Sequence, residues 1–202
     1  MTAEQIIDYL SNHSIELFAT ITSLIYLYFS IRGHILLWLF GIISSLIYVY
    51  ICFKARIYAD MSINAYYVII SIYGWIHWSL KQGSKKKELP ISRLKISQST
   101  LLLITTIILF FIIGYVLNHY TDSDVAWWDS FTTALSITAT WMLARKILEH
   151  WILWIIVDGV SVGLYIYKQL DITVVLFVVY TIMAVIGFYE WKKQWKTELT
   201  AS

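Results

Sequence analysis

Apolar residues run along this chain in seven long blocks, separated by short charged clusters and marked inside by polar residues at helical spacing. A membrane-crossing helix needs about 20 predominantly apolar residues. The blocks at 14–32, 35–53, 62–80, 100–117, 129–144, 150–167 and 172–191 are read as such helices. They take up most of the 202 residues and leave no room for a soluble domain. The expectation is one all-α membrane domain over 1–202, with its chemistry in the bilayer or at its two faces.

Inside the blocks the polar positions follow a helical period. On the sixth, Trp151, Trp154, Asp158, Ser161 and Tyr165 fall within about 80° of arc at 100° per residue. Asn64, Tyr67, Ser71, Gly74 and Trp78 repeat that spacing on the third block. Trp38, Gly41, Ser45 and Tyr48 mark the second, and Asp129, Thr133, Ser136 and Thr140 the fifth. Polar stripes are costly against lipid, so these faces are expected to turn inward. Gly41, Ser45, Ser71, Ser136 and Gly187 also have a plainer reading, because small and hydroxylated residues are ordinary packing between membrane helices. The fourth block, "TLLLITTIILFFIIGYVL", is apolar nearly all round and reads as a helix surrounded by lipid.

Two stretches echo each other. "LLWLFGIISSLIYVY" (36–50) and "ILWIIVDGVSVGLYIY" (152–167) both open on Leu-Trp and reach Tyr-x-Tyr, and one helix later come Gly74-x3-Trp78 and Gly187-x3-Trp191. Matching Leu-Trp to Leu-Trp sets Trp38 against Trp154. Blocks one to three (14–80) and five to seven (129–191) then read as two copies. The extra fourth block (100–117) restores the direction of the second copy, so parallel repeats in a three-plus-one-plus-three order are expected.

Composition supports the membrane reading, with 59% hydrophobic and 14% charged residues. Of the 15 Lys and Arg, 12 fall on one side of the seven-helix arrangement: Arg32, six within 81–99, Arg145, Lys146, Lys192, Lys193 and Lys196. The positive-inside rule therefore puts the N-terminus outside and the C-terminus in the cytoplasm. The basic run "KQGSKKKELPISRLK" is explained as that topology signal, and no nucleic-acid partner is expected. Around Glu4 and Asp8 the basic n-region of a cleaved leader is missing, so the first block is expected to be retained. The single cysteine, Cys52, excludes an internal disulfide and any CxxC motif.

Other chemistries find little support. His13, His34, His77, His119 and His150 lie at block ends, where an interfacial place is expected rather than axial ligation of a haem. Trp75, Trp127, Trp128, Trp191 and Trp195 also sit at block ends, as an aromatic belt would. There is no Walker motif and no metal-ligand spacing, so no cofactor, metal or catalytic residue is assigned.

Asp158 stands out. A carboxylate near the middle of a membrane helix costs roughly 2.5–3.5 kcal/mol on insertion scales. No block offers a Lys or Arg at matching depth. Two readings follow. A cationic, flat heteroaromatic substrate would stack on Trp faces while the carboxylate balances its charge or accepts from its hydroxyls. Alternatively the acid is protonated and bonds a neighbour or relays a proton. An embedded hydrolase using Asp158 with Glu190 is a distant third, since Glu190 lies at the end of its block.

The Trp-x2-Trp-x3-Asp of Trp151, Trp154 and Asp158, the segment "FGIISSLIYVYICFKARIYADMSINAYYVIISIYGWIHW" (40–78) and "TATWMLARKILEHWILWIIVD" (138–158) resemble the PnuC family of bacterial vitamin transporters. The resemblance covers nearly the whole chain. It implies a fold similar to full-length SWEET sugar carriers, in a bacterial inner membrane. It also implies facilitated diffusion of nicotinamide riboside, with a cytoplasmic kinase trapping the product by phosphorylation. Relatives with the same motif carry thiamine, so that cargo stays open. Trp151, Trp154 and Asp158 are the expected substrate contacts, with Asn64, Tyr67 and Trp38 from the facing stripes. Lipids and the vitamin are the expected partners, and a homo-oligomer, such as a trimer, is a further expectation.

Overall fold

The computed structural model describes residues 14–55, 58–80 and 89–200. The expectations placed on Glu4, Asp8, His13 and the basic run 81–88 lie outside them. Among the described residues seven helices follow one another: α1 Ser14–Arg32, α2 Leu36–Ala55, α3 Tyr58–Leu80, α4 Ile96–Tyr120, α5 Ala126–Ala144, α6 His150–Tyr167 and α7 Asp171–Thr200. Each apolar block is one helix. The chain forms two compact units, divided between Ile76 and His77 near the end of α3.

Four helices are apolar and long enough to cross a membrane by length and composition: Leu36–Lys54, Ile96–Tyr120, His150–Tyr167 and Thr173–Thr200. Ile21–Arg32 is a shorter apolar helix. α5 misses that standard because it is rich in hydroxyls, but these bond back along their own helix. Ser136 Oγ donates to Thr132 O at 2.8 Å, Thr138 Oγ1 to Ala134 O at 3.0 Å and Thr140 Oγ1 to Ser136 O at 2.8 Å. Back-bonded in this way, a hydroxyl adds little to the cost of an apolar setting.

The turn between α1 and α2 and the turn between α5 and α6 are built alike. In the first, Gly33 at φ 64° ends the helix, with Gly33 N donating to Ser30 O and His34 N to Phe29 O. In the second, Lys146 at φ 51° does the same, with Lys146 N donating to Leu143 O and Ile147 N to Met142 O. Both are Schellman endings, which need a residue in the left-handed region. Glycine adopts it freely; a lysine pays about 1 kcal/mol or more for it. The next bonds also correspond, Leu37 N to His34 O and Trp38 N to Ile35 O against His150 N to Ile147 O and Trp151 N to Leu148 O.

One shift in numbering takes the bonds of the first turn onto those of the second, and it pairs Trp38 with Trp151. This is not the offset at which Leu-Trp recurs, where Trp38 meets Trp154. Packing follows the turns. A Cβ on Gly74 would lie 2.5 Å from the Trp38 ring, and one on Gly187 would lie 2.6 Å from the Trp151 ring. In each unit an indole fills the space that glycine leaves on the helix opposite, so the match is between contacts rather than letters.

On the side of the molecule carrying the α5–α6 turn, residues 89–95 are strapped to the second unit. Ser92 N donates to Lys146 O and Leu148 N donates to Ser92 O, both at 2.9 Å. Glu149 pairs with Arg93 and also accepts from Leu94 N at 2.8 Å. Ile91 N donates to Glu198 Oε2 at 2.9 Å, using the polar stretch by which α7 outruns its apolar block. Trp78 Nε1 donates to Ala144 O at 3.0 Å, while the buried Lys146 ammonium stands 4.6 Å from the Trp78 ring.

Candidate functional site

α6 packs against both α5 and α7, which gives it one sheltered face. The stripe read from the sequence is that face. Trp151, Asp158 and Ser161 are buried, and Trp154 and Tyr165 are partly exposed. Asp158 keeps only 7% of its surface exposed. Its carboxylate has no hydrogen-bond or ion-pair partner among the described residues. Trp154, one turn earlier, likewise has no ring partner among them, so an aromatic surface and an acid are presented side by side.

Trp151 has a different place. It is 1% exposed, 4.6 Å from the His150 ring and 5.9 Å edge-on to Trp191, with Gly187 beneath it. His150 Nδ1 bonds Ile147 O at 2.7 Å, and its ring meets Trp191 at 4.7 Å. This four-residue cluster is a packed core. The belt position expected for Trp191 and the interfacial position expected for His150 are both corrected, since each is 0% exposed. The two helix ends cover each other through these rings, a tertiary effect that hydropathy does not record. His34 and His119 are exposed, as interfacial side chains would be.

The remaining candidates lie in the first unit. Trp38 is 0% exposed, its ring closed over Gly74. Asn64 and Tyr67 are partly exposed on α3, with the Tyr66 and Tyr67 rings 5.6 Å apart. Tyr48, expected on the inward stripe of α2, is 40% exposed.

The register of the turns shows how the units differ. At the positions of Trp154 and Asp158, the first unit has Gly41 and Ser45. A Cβ on Gly41 would already lie 2.9 Å from Ser71 Oγ and 3.3 Å from the Tyr26 ring, so no indole fits there. The first unit closes its helix crossing at Gly41, whereas Trp154 is partly exposed, and of the two positions Ser45 and Asp158 the acid belongs to the second unit. The constant spacing from Trp38 to Gly74 and from Trp151 to Gly187 was the signal by which sequence alone would have found this.

Chemically, α6 presents a hydrogen-bond acceptor that is anionic when ionised, beside a π-face in a low-dielectric setting. That suits a cationic aromatic guest. The seven helices among the described residues, four of them apolar and long enough to span a bilayer, define a multi-pass membrane protein, and α6 gives it a sheltered polar face.

Comparison with known proteins gives the class its family. Residues 13–193 match the family described as nicotinamide mononucleotide transporter, and the chain belongs to that family. It is 22% identical over 163 residues to the nicotinamide riboside transporter PnuC of Escherichia coli (strain K12), covering 69% of this chain and 68% of the relative. The same figures hold for the PnuC of Shigella flexneri. The fold matches the crystal structure of the vitamin B3 transporter PnuC with a TM-score of 0.74 at 23% identity, over 96% of this chain and 87% of that one. The protein is a membrane transporter, and the embedded hydrolase is set aside.

Proposed function

We propose that this chain carries nicotinamide riboside across the bacterial inner membrane by facilitated diffusion. The observation that carries the reading is Asp158, buried on the sheltered face of α6 beside Trp154 and without a partner among the described residues. The riboside supplies what that pair wants, a cationic pyridinium for the indole and ribose hydroxyls for the carboxylate. The names of the curated relatives point the same way. The mononucleotide in the family's description fits less well, because its phosphate would bring like charge toward Asp158 with no cation on α6 to offset it.

Trp154 and Asp158 are the primary contacts in this reading. Trp151 shapes the floor behind them and holds α6 to α7. Asn64 and Tyr67 are secondary contacts, and Trp38 acts through packing. Alternating access between the two faces, parallel three-helix repeats with α4 as linker, an outside N-terminus, a trapping kinase in the cytoplasm and a trimeric assembly belong to the same proposal. Downhill movement followed by phosphorylation needs no coupled ion.

The experiment is calorimetric titration of the purified protein with nicotinamide riboside, nicotinamide mononucleotide and thiamine, followed by uptake into proteoliposomes. Binding and uptake of the riboside alone is the expected result. Preference for thiamine would keep the site and change the cargo; binding of the mononucleotide in preference to the riboside would overturn the charge argument.

A further inference from the structure

A cavity of about 410 Å³ lies between α4, α5 and α6, wholly within the second unit. Leu102, Leu103, Leu135 and Leu153 make its walls. At its floor Thr106 Oγ1 and Thr138 Oγ1 bond each other at 2.7 Å, and each also bonds a carbonyl of its own helix. The depth of the cavity therefore asks nothing polar of an occupant. That rules it out as a second vitamin site, which would need donors or acceptors there.

One end is different. Leu94, Ser99 and Glu149 line the end beside the start of α4. Glu149 is neutralised by Arg93 and by Leu94 N. The Arg93 side chain is still 51% exposed, and Lys95 is exposed and makes no ion pair among the described residues. From Ser99 to Thr106 the groove runs about 10 Å along α4 at 1.5 Å per residue. One leaflet of a ~30 Å hydrocarbon core is about 15 Å deep. The groove thus has a hydrocarbon interior about two thirds of a leaflet deep, and beside its Glu149 end stand the exposed Lys95 and the half-exposed Arg93.

We infer that this groove binds an anionic phospholipid, with one acyl chain between α4 and α6 and the phosphate at Lys95 and Arg93. Charge complementarity at the Glu149 end and polar self-sufficiency at the floor select a charged amphiphile over the helix of a second copy. The bound chain lies against Ile152 and Leu153, which alternate on α6 with Trp151 and Trp154, so the lipid braces the helix that bears the candidate site from its outer side. The inference rests on the chain being embedded in a membrane and not on which cargo it carries.

Native mass spectrometry of the detergent-purified chain, titrated with a phosphatidylglycerol and with a phosphatidylethanolamine of the same acyl chains, tests it. The wild type is expected to retain one phosphatidylglycerol in preference to phosphatidylethanolamine. Lys95→Gln should lower that preference about fivefold, and Leu103→Trp, at a 62% exposed position lining the groove, should abolish retention of both. Equal retention of the two lipids, or retention unchanged by Leu103→Trp, would overturn the inference. So would efficient disulfide cross-linking between copies through Leu103→Cys, because a second copy would then fill the groove. Both substituted positions are exposed, and an unchanged melting temperature confirms that each variant is folded.

Discussion

The indole of Trp151 closes on Gly187 so tightly that a Cβ there would stand 2.6 Å from the ring. Neither partner can yield, as the ring is also bounded by His150 and Trp191. Gly187→Ala is therefore expected to destabilise the protein by about 1–3 kcal/mol, the usual range for overpacking. Gly159, also on a helix, has open space around its Cβ position. Gly159→Ala should be neutral or slightly stabilising, by up to about 1 kcal/mol, because it removes a flexible residue from a helix interior. Thermal unfolding in detergent separates the two, and equal melting temperatures would refute the packing argument.

Asp158→Ala is expected to weaken riboside binding at least tenfold, which corresponds to about 1.4 kcal/mol. Asp158→Asn keeps acceptor capacity but loses charge and should fall between. Trp154→Phe should bind more tightly than Trp154→Ala, since a smaller π-face still attracts the cation. Calorimetry on folded variants measures each, and a wild-type affinity in Asp158→Ala would remove the acid from the site.

Glu149 holds the strap with a charge-assisted pair and a backbone acceptance. Glu149→Ala leaves Arg93 and Leu94 N without that anchor. Faster hydrogen exchange at residues 91–95 is the expected consequence, with exchange in α4 unchanged. Protection at 91–95 equal to wild type would mean that the Ser92 bridge and the Ile91–Glu198 bond hold the strap without Glu149.

Lys146 sits in the left-handed region while its ammonium stacks over Trp78. Lys146→Gly relieves the backbone and loses the cation–π contact, each about 1 kcal/mol, so little net change is expected. Lys146→Val combines a branched side chain with positive φ and loses the contact as well. A clear drop in melting temperature is expected for valine alone.

Much of this was legible in the sequence. Block edges gave the helices within about four residues, because apolar length and charged punctuation are local properties; the exception is the end of α7, which continues as a polar helix to Thr200. The sheltered face of α6 was also legible, since Asp158 and Trp154 break the apolar run at helical spacing. What could not be read was which tryptophans are open. Trp151 and Trp154 are the same residue type one turn apart, yet Trp151 is sealed by a glycine on the next helix and Trp154 is not. The choice between repeat offsets has the same origin. Leu-Trp recurs at 37–38 and 153–154, but the counterpart of Trp38 is fixed by Gly187, a partner distant in sequence. The burial of His150 depended on the Trp191 ring of α7, again a distant partner.

The paired Trp–glycine contacts bear on how this chain can vary in length. Inserting one residue into α2 or α3 between Trp38 and Gly74, or into α6 or α7 between Trp151 and Gly187, would turn the later part of that helix by about 100° and carry the glycine away from its ring. Those helical stretches can exchange residues but not gain or lose them. A connection such as 168–170 takes up a change in length instead, and a library of single-residue deletions should show intolerance inside the four helices and tolerance between them.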